Sequence, residues 1–261
     1  MSTPMIDIRN LSAGYKGQPV LRGISLNVGE GEFTGILGPN GSGKTTLIRA
    51  LSGVLPYASG SIHIAGHDVR ALSAKARARH CATVAQKNPG LSGVRAMSLV
   101  LMGRYPHISF LGGYSRHDYL RVQAAMEETS CLDLAERSTE ALSGGELQRV
   151  ITAKALAQDT RLLLLDEAAS NLDVARTMDL YELLRIKNAA GLTILTVAHD
   201  LNLAALYCQR LVFLKNGSVA ADGPTREIFT AQTLSDIYET PLAVAEHPLT
   251  GTPQAYLVPR A

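Results

Sequence analysis

The chain has 261 residues, of which 46% are hydrophobic, which is enough for one large domain or for one domain with a substantial insertion. Its net charge of +2, with 18% charged residues and no long run of Lys or Arg, excludes the charge pattern of a protein whose main partner is a nucleic acid. The cysteines, 3 in number, are scattered along the chain, which disfavours a disulfide framework or a zinc site and favours reduced thiols in a cytosolic compartment.

The chain begins with segments that alternate in polarity. Residues 6–15 and 20–28 predict an antiparallel pair of strands, and the apolar residues 33–37 predict a third strand. Residues 1–10 lack the basic and apolar regions of a secretory signal, and no stretch is as long and apolar as a transmembrane helix. We therefore expect a protein without a membrane span, so that any membrane role comes through a partner.

A glycine-rich sequence, Gly-Pro-Asn-Gly-Ser-Gly-Lys-Thr-Thr at 38–46, follows the third strand and precedes apolar residues at helical spacing. Glycines let backbone N–H groups approach a triphosphate closely, and a helix start adds partial positive charge. Lys44 can then reach the β- and γ-phosphates, and the Thr45 hydroxyl can bind Mg²⁺. The predicted ATP-binding residues of this phosphate loop are Gly38, Pro39, Asn40, Gly41, Ser42, Gly43, Lys44, Thr45 and Thr46.

Shorter elements follow the phosphate loop. A Ser-Gly pair at 59–60 and an Ala-Gly pair at 65–66 bracket a predicted strand at 61–64. Residues 74–79 predict a short basic helix, and residues 82–85 predict a buried strand that ends at Gln86.

The stretch 89–142 differs in character from its flanks. It carries Gly, Pro, Tyr and His early, and from residue 122 onward its apolar residues recur at helical spacing. We therefore predict that 89–142 is a mostly helical insertion in an α/β core formed by 1–88 and 143–261.

Two neighbouring carboxylates end a run of leucines at 162–165. The run predicts a central strand that is buried on both faces, and Asp166 and Glu167 follow at its carboxyl end, where α/β sheets bind ligands. Asp166 can hold Mg²⁺ through a water ligand, while Glu167 can polarise a water molecule that attacks the γ-phosphate.

A second glycine motif lies at 142–149, Leu-Ser-Gly-Gly-Glu-Leu-Gln-Arg. Ser143 and Glu146 have the spacing of a capping box at the start of a helix, which leaves Gly144 and Gly145 unexplained. Because glycine weakens a helix, close approach of another group to this backbone is predicted. The helix start is suited to a γ-phosphate, and since the phosphate loop already surrounds one side of a nucleotide, we expect it to engage the ATP of a second copy of the chain.

The remaining elements predict a parallel sheet. A helix over 144–157, a helix around 174–187 and a strand at 193–198 alternate along the chain before a tail of short strands and helices. Alternating strands and helices are typical of an α/β fold whose parallel sheet is covered on both faces.

These motifs, in this order and over nearly the whole chain, resemble the ATP-binding-cassette (ABC) ATPases. Residues 38–46 match that family's Walker A motif, 142–148 its signature motif, and 162–167 its Walker B motif. Residues 170–173 match its D-loop, and Gln86 its Q-loop. The resemblance implies a P-loop NTPase with a mixed sheet core, an antiparallel β subdomain and a helical insertion.

The same resemblance implies roles for single residues. Glu167 is expected to be the catalytic base, and His199, the family's switch histidine, to contact the γ-phosphate. Tyr15 is expected to stack on adenine, Asp173 to lie at a dimer seam, and Gln86 to join Thr45 and Asp166 around Mg²⁺. The expected assembly is a head-to-tail homodimer that sandwiches two ATP molecules and separates on hydrolysis.

One motif departs from the family pattern. After the catalytic Glu the family usually has Pro and then Thr or Ser, whereas this chain has Ala168 and Ala169. Proline there stiffens a turn without touching phosphate, so we expect activity to survive. The histidines His63, His67, His80, His107, His117 and His247 have no ligand spacing, and no metal is assigned to them.

Within the family the chain resembles the ATPase subunits of bacterial importers for iron-siderophores, heme and cobalamin. The residues that carry this likeness lie at 102–107, 199–202 and 247–253. The segment 103–107 is expected to be an exposed Arg-Tyr-Pro surface that docks a helix of a partner.

The resemblance implies transmembrane permease subunits as partners and, through them, a periplasmic or surface substrate-binding protein. It places the chain peripherally on the cytoplasmic face of the inner membrane, without nucleic acid. Three alternatives stay open: a soluble ABC ATPase of DNA repair or translation, a subunit of a transporter for another cargo, and a scaffold that binds ATP without hydrolysing it.

Overall fold

A computed structural model describes residues 4–85, 93–109, 111–170 and 172–259. The chain forms two compact units: unit 1 comprises Met1–Ala71 and Thr193–Ala261, and unit 2 comprises Leu72–Leu192. The division into a core of 1–88 and 143–261 and an insertion of 89–142 stays a prediction. Among the described residues, no helix combines the length and the apolar character that crossing a lipid bilayer requires.

The strands of the described residues are β1 (Ile6–Tyr15), β2 (Gln18–Val28), β3 (Phe33–Leu37), β4 (Tyr57–Ile64), β5 (His67–Asp68), β6 (Cys81–Val84), β7 (Leu162–Asp166), β8 (Thr193–Val197), β9 (Arg210–Lys215), β10 (Ser218–Pro224), β11 (Leu242–Glu246) and β12 (Pro253–Leu257). The helices are α1 (Lys44–Leu51), α2 (Ala74–Arg77), α3 (Ala96–Leu101), α4 (Arg116–Glu128), α5 (Gly144–Ala157), α6 (Val174–Ala189), α7 (Leu201–Tyr207), α8 (Thr225–Ile228) and α9 (Ala231–Tyr238). Most predicted elements agree with these bounds to within one or two residues at their ends.

Unit 1 contains an antiparallel sheet in the order β2-β1-β4-β5 and a mixed set of strands in the order β10-β9-β3-β8. Strand β3 pairs in parallel with both β8 and β9, and β10 pairs antiparallel with β9. Every residue of β3 and β8 is buried, as expected for strands that are covered on both faces. A separate antiparallel hairpin, β11–β12, lies near the C-terminus.

The predicted start of the fourth strand at residue 61 is wrong, because β4 begins at Tyr57 and runs through residues 59 and 60. The reason is a bulge, where the register between β1 and β4 shifts between Arg9 and Ser12. Gly60, with φ of +86°, lies against the bulge, and a Cβ at this position would be 2.4 Å from the Asn10 carbonyl oxygen. The glycine thus permits close approach of two strands.

Unit 2 contains the parallel pair β6–β7, both strands of which are largely buried, and several helices. Helices α3 and α4 pack against α5. The predicted helical periodicity from residue 122 onward corresponds to α4, which a capping box between Ser115 and Asp118 begins.

The segment Met102–His107 forms a 3₁₀ helix, and here one expectation is wrong. Arg104 and Pro106 were expected on an exposed Arg-Tyr-Pro surface, yet only 3% of Arg104 is accessible to solvent and Pro106 is buried as well. Its Nε donates to Asp118 at 2.9 Å and its Nη1 donates to the Ala157 carbonyl oxygen at 2.8 Å. Arg104 therefore joins the 3₁₀ helix to α4 and α5 and takes part in folding, because its charge is paired inside unit 2.

Candidate functional site

The phosphate loop of unit 1 connects β3 to α1, as its sequence predicts. Gly43 precedes α1 with φ of +106°, and a Cβ at this position would lie 2.6 Å from Leu21 Cδ2. A Cβ at Gly38 would lie 2.0 Å from the Leu214 carbonyl oxygen. Gly41 has φ of +78°, with open space where its Cβ would stand. The loop thus needs glycine for backbone conformation at Gly41 and for both conformation and space at Gly38 and Gly43.

Lys44 folds back across this loop. It is 5% exposed, and its Nζ donates to the carbonyl oxygens of Gly38 at 2.7 Å and Pro39 at 3.0 Å. The ammonium group is therefore held at the mouth of the loop by backbone oxygens.

Two features of the loop fit a phosphate group. No side chain caps the N-terminus of α1, so its leading backbone amides face the loop as in anion-binding helices. The buried Ser42 Oγ has no hydrogen-bond partner within the described part of the chain. Such an unsatisfied buried hydroxyl is costly unless a ligand completes its bonding.

Tyr15 and His199 lie at the ends of other unit 1 strands. Tyr15 ends β1 with an exposed ring, and its hydroxyl accepts a hydrogen bond from Arg49 Nη1 of α1 at 3.0 Å. His199 is exposed and follows β8, where the Ala198 N–H donates to the Ile36 carbonyl oxygen of β3 at 3.2 Å. Both side chains are accessible to a ligand, and their roles stay predictions.

In unit 2, β7 carries Asp166 at its end, 4% exposed, and Glu167 directly after it. Glu167 has φ of +55°, a left-handed conformation that costs a residue with a Cβ about 1–2 kcal/mol. The Ser170 N–H donates to the Glu167 carbonyl oxygen at 3.1 Å and closes a turn through Ala168 and Ala169. The turn thus forms without the family's proline, and backbone strain at a carboxylate is typical of functional sites.

The signature segment of unit 2 begins α5 with a complete capping box. The Ser143 hydroxyl accepts from the Glu146 N–H at 3.3 Å, and the Glu146 carboxylate accepts from the Ser143 N–H at 2.7 Å. Arg137 donates to Glu146 at 2.9 Å. Hydrogen bonds from Ser143, with Arg137 adding to them, lower the pKa of Glu146, so the carboxylate is charged near neutral pH.

The two glycines of this segment have no packing reason within unit 2. Among the described residues, a Cβ at Gly144 would meet no atom within 4 Å, and one at Gly145 would make only an ordinary contact, 3.6 Å from Leu172. The capping box therefore explains Ser143 and Glu146 and leaves the glycines available for a group outside the chain.

Asp173 caps α6, because its carboxylate accepts from the Arg176 N–H at 2.8 Å. Its expected place at a dimer seam stays a prediction. Gln86 lies outside the described residues, as does Asn171 of the predicted D-loop.

Sequence reasoning missed several residues that support these segments. The Tyr238 hydroxyl accepts from the Gly38 N–H at 3.1 Å, and Asn202 hydrogen bonds to the backbone of Ala255. Arg137 holds the signature capping box. Tyr238 has no local signal because its partner is distant in sequence, whereas Asn202 lies in a segment that the sequence analysis singled out for its likeness to relatives.

Comparison with known proteins gives a consistent set of relatives. Residues 21–170 match the family described as ABC transporter. The chain is 36% identical to the ferric enterobactin transport ATP-binding protein FepC of Escherichia coli K12, over 93% of this chain and 90% of FepC. It is 35% identical to the iron(3+)-hydroxamate import ATP-binding protein FhuC of Bacillus subtilis 168, over 95% of this chain and 93% of FhuC.

Another relative is longer than this chain. The uncharacterized ABC transporter ATP-binding protein YvrA of Bacillus subtilis 168 is 39% identical over 95% of this chain, which spans 57% of the length of YvrA.

Solved structures share the fold. A metal-chelate type ABC transporter in an inward-facing conformation has a TM-score of 0.84 at 24% identity, over 99% of this chain and 98% of that one. The dimeric structure of the bacterial ABC transporter cassette MJ0796 has a TM-score of 0.77 at 28% identity, over 85% of this chain and 99% of that one.

Proposed function

This chain belongs to the ABC transporter family, and from that premise we propose that it is the ATP-hydrolysing subunit of an importer for iron-siderophore, heme or cobalamin. The observation that carries the proposal is the phosphate loop, where glycines in left-handed conformations hold Lys44 at an uncapped helix start. The likeness to FepC and FhuC over most of their lengths supports the importer class.

ATP is bound by residues 38–46, with adenine on the exposed ring of Tyr15. Thr45, Asp166 and Gln86 would be the oxygen donors for Mg²⁺, with Asp166 acting through a water ligand, and such donors suit this hard cation. When bound, the ion would neutralise charge on the β- and γ-phosphate oxygens.

The protein's own contribution to hydrolysis is a proton acceptor and charge stabilisation. Glu167 accepts the proton of the attacking water molecule and is the catalytic base, and His199 donates a hydrogen bond to the γ-phosphate. The exposure of His199 and the fixed turn after Glu167 suit these roles.

The signature segment serves a second copy of the chain. Ser143, Gly144, Gly145 and Glu146 start α5, and no atom of the described residues lies within 4 Å of where a Cβ at Gly144 would stand. A homodimer in which this helix start contacts the partner's γ-phosphate accounts for both glycines. The dimeric cassette MJ0796 supports such a pairing.

The permease docks on exposed side chains of the 3₁₀ helix in unit 2. Tyr105 is 60% exposed and Met102 44% exposed, while Arg104 and Pro106 of the same 3₁₀ helix are buried. Lys75 lies over the Tyr105 ring, with its Nζ 5.4 Å from the ring centroid. An aromatic side chain held on a rigid base is the type of residue that contributes most to protein interfaces.

Phosphate release by the purified chain, alone and with its membrane partner, tests the enzymatic part. Wild-type protein should turn over ATP, while Glu167→Gln should lose at least about a hundredfold in kcat, because general-base catalysis supplies that much. Exchanging another partly exposed glutamate of unit 2, Glu182→Gln, is the control. Equal turnover by Glu167→Gln and the wild-type chain would refute the role of Glu167, and no turnover at all would favour a scaffold.

Isolation of the tagged chain from solubilised membranes tests the transport part. A permease and a substrate-binding protein should be recovered with it, and the ligand of the binding protein should show the visible spectrum of a ferric chelate, heme or corrinoid. A colourless, metal-free ligand would contradict the cargo class, and recovery with ribosomes or DNA instead of membranes would contradict the importer.

A further inference from the structure

The C-terminal part of unit 1 contacts two segments that the proposed function places around ATP. Residues 231–257, which include α9 and the hairpin β11–β12, are here called the C-terminal brace. One contact is to the phosphate loop and the other is to the helix that follows His199.

The first contact is made by Tyr238, the last residue of α9. Its hydroxyl accepts a hydrogen bond from the N–H of Gly38, the first glycine of the phosphate loop, at 3.1 Å. Burial raises the pKa of Tyr238 to about 12, so the hydroxyl is neutral at physiological pH. A Cβ at Gly38 would lie 2.0 Å from the Leu214 carbonyl oxygen, so the first residue of the loop packs closely against β9.

Ion pairing holds the end of α9 in this place. Lys215, at the end of β9, donates to the Asp236 carbonyl oxygen at 2.7 Å and pairs with Glu239 at 2.8 Å. The Leu242 N–H donates to Ser235 Oγ at 3.0 Å, which ties the start of β11 to α9. The brace is thus continuous from the phosphate loop to the hairpin.

The second contact is made by Asn202 in the first turn of α7. Its Oδ1 accepts from the Ala255 N–H at 2.7 Å, and its Nδ2 donates to the Ala255 carbonyl oxygen at 3.2 Å. Ala255 pairs with Val244 of β11. The Asn202 side-chain amide makes to Ala255 the two hydrogen bonds that the backbone of a neighbouring strand would make. One side chain thereby satisfies a donor and an acceptor of a strand edge.

Asn202 is close to His199 along a short, well-connected segment. The Asp200 carboxylate accepts from the N–H groups of Asn202 at 2.8 Å and Leu203 at 3.0 Å and so begins α7. A shift of Asn202 is therefore expected to move the start of α7 and, with it, His199, which precedes Asp200.

We propose that the C-terminal brace holds the phosphate loop and the His199 segment in one arrangement, with Tyr238 and Asn202 as positioning residues for ATP hydrolysis. The proposal rests on the proposed function for the roles of those two segments. Its physical basis is that both segments hydrogen bond to the same piece of chain, so their positions are coupled through it.

Steady-state ATP hydrolysis by the full chain tests the brace, measured well below the lowest melting temperature of the variants. Asn202→Ala should lower kcat about fivefold with little change in KM, since the loss of one or two hydrogen bonds corresponds to such a factor. Tyr238→Phe should raise KM for ATP about fivefold with little change in kcat. If one brace carries both effects, the fold-loss in kcat/KM of the double variant should be clearly smaller than the product of the fold-losses of the two single variants.

Two control variants remove the same groups elsewhere. Asn188→Ala deletes an asparagine whose Nδ2 donates to a backbone carbonyl, that of Leu192, at 2.8 Å in unit 2. Tyr256→Phe deletes the hydroxyl of a half-exposed tyrosine within the brace. Both controls should keep wild-type kcat and KM.

Hydrogen exchange gives a readout that does not depend on activity. In Asn202→Ala the amides of 199–207 should exchange faster than in the wild type, whereas in Asn188→Ala they should not. The proposed brace would be overturned if Asn202→Ala matched Asn188→Ala both in ATP turnover and in hydrogen exchange of the amides of 199–207. If the wild-type chain shows no ATP turnover, or turnover that Glu167→Gln does not reduce, the proposed function is overturned instead. The two failures are therefore distinguishable.

Discussion

Glycines of the phosphate loop differ in what they contribute, although the sequence presents them as one motif. Gly43 has a φ of +106°, and a Cβ there would lie 2.6 Å from Leu21 Cδ2, whereas Gly41 has a φ of +78° and no described atom within 4 Å of where its Cβ would stand. Conformation alone therefore requires glycine at Gly41, and conformation together with packing requires it at Gly43.

We predict that Gly43→Ala lowers the free energy of unfolding more than Gly41→Ala does. The left-handed conformation costs each variant about 1–2 kcal/mol, and the contact with Leu21 adds about 1 kcal/mol or more of overpacking to Gly43→Ala only. Urea unfolding of both variants measures the difference. Equal losses of unfolding free energy in Gly43→Ala and Gly41→Ala would contradict a contribution from packing at Gly43.

Gly144 is the opposite case, a glycine that no contact inside unit 2 requires. We predict that Gly144→Ala raises the free energy of unfolding by up to about 1 kcal/mol, because alanine is the better helix former. The same variant should weaken ATP-dependent pairing of two chains, because its Cβ lies where the partner's phosphate is proposed to bind.

Thermal unfolding and size-exclusion chromatography with ATP measure these two effects, the latter in a Glu167→Gln background that retains ATP. Ser143→Ala is the comparison, since it should lose about 1 kcal/mol of stability with the cap. ATP-dependent dimers of Gly144→Ala at the wild-type level would contradict the proposed partner contact.

At the scale of elements, the Arg104–Asp118 pair joins three parts of unit 2. Both side chains are almost fully buried, and Ser115 also donates to the Asp118 carboxylate. Hydrogen bonds from Ser115, with Arg104 adding to them, lower the pKa of Asp118 from 3.8 to about 2. Removing one partner would leave the other charge buried and unpaired, which is why such pairs are costly to break.

We predict that Asp118→Asn lowers the free energy of unfolding by about 3 kcal/mol at neutral pH. The pKa of Asp118 is lower in the folded state than in the unfolded chain. The carboxylate therefore stabilises the fold fully above its unfolded pKa of about 3.9, and this stabilisation is lost as the pH falls further. The difference in the free energy of unfolding between wild type and Asp118→Asn should therefore become smaller as the pH falls from about 4 towards about 2.

Urea titrations at a series of pH values measure this narrowing. Asp133→Asn, which changes an exposed aspartate of the same unit, should follow the wild type throughout. A gap between Asp118→Asn and wild type that stays constant down to the lowest pH would show that the pair does not carry the effect.

At the scale of the whole molecule, the proposed assembly requires surfaces for a second copy and for a permease. The described residues contain no helix suited to crossing a bilayer. Tyr105 and Met102 are the exposed apolar side chains on the 3₁₀ helix of unit 2.

We predict that Tyr105→Ala lowers recovery of the permease with the tagged chain about tenfold, because an exposed aromatic anchor contributes strongly to an interface. ATP hydrolysis by the isolated chain should stay unchanged. Tyr256→Ala, at an exposed tyrosine of unit 1, should leave permease recovery intact. Unchanged recovery with Tyr105→Ala would place the docking surface elsewhere.

The family, the order of motifs and the type of most elements could be predicted from the amino-acid sequence alone. The phosphate loop, the capping box at Ser143 and the buried leucine strand are recognisable because each depends on residues that are adjacent in the chain. Local spacing is sufficient there, since the backbone conformation of a loop or a helix start is specified by its own residues.

The residues that support these motifs are evident only in the folded chain. Arg104 was predicted to be exposed and is buried, because Asp118 and the Ala157 carbonyl group, both distant in sequence, pair with it. Tyr238 and Asn202 reach Gly38 and Ala255 across similarly long separations. No local pattern encodes such pairs, because the chain brings their members together only when the strands and helices between them have packed.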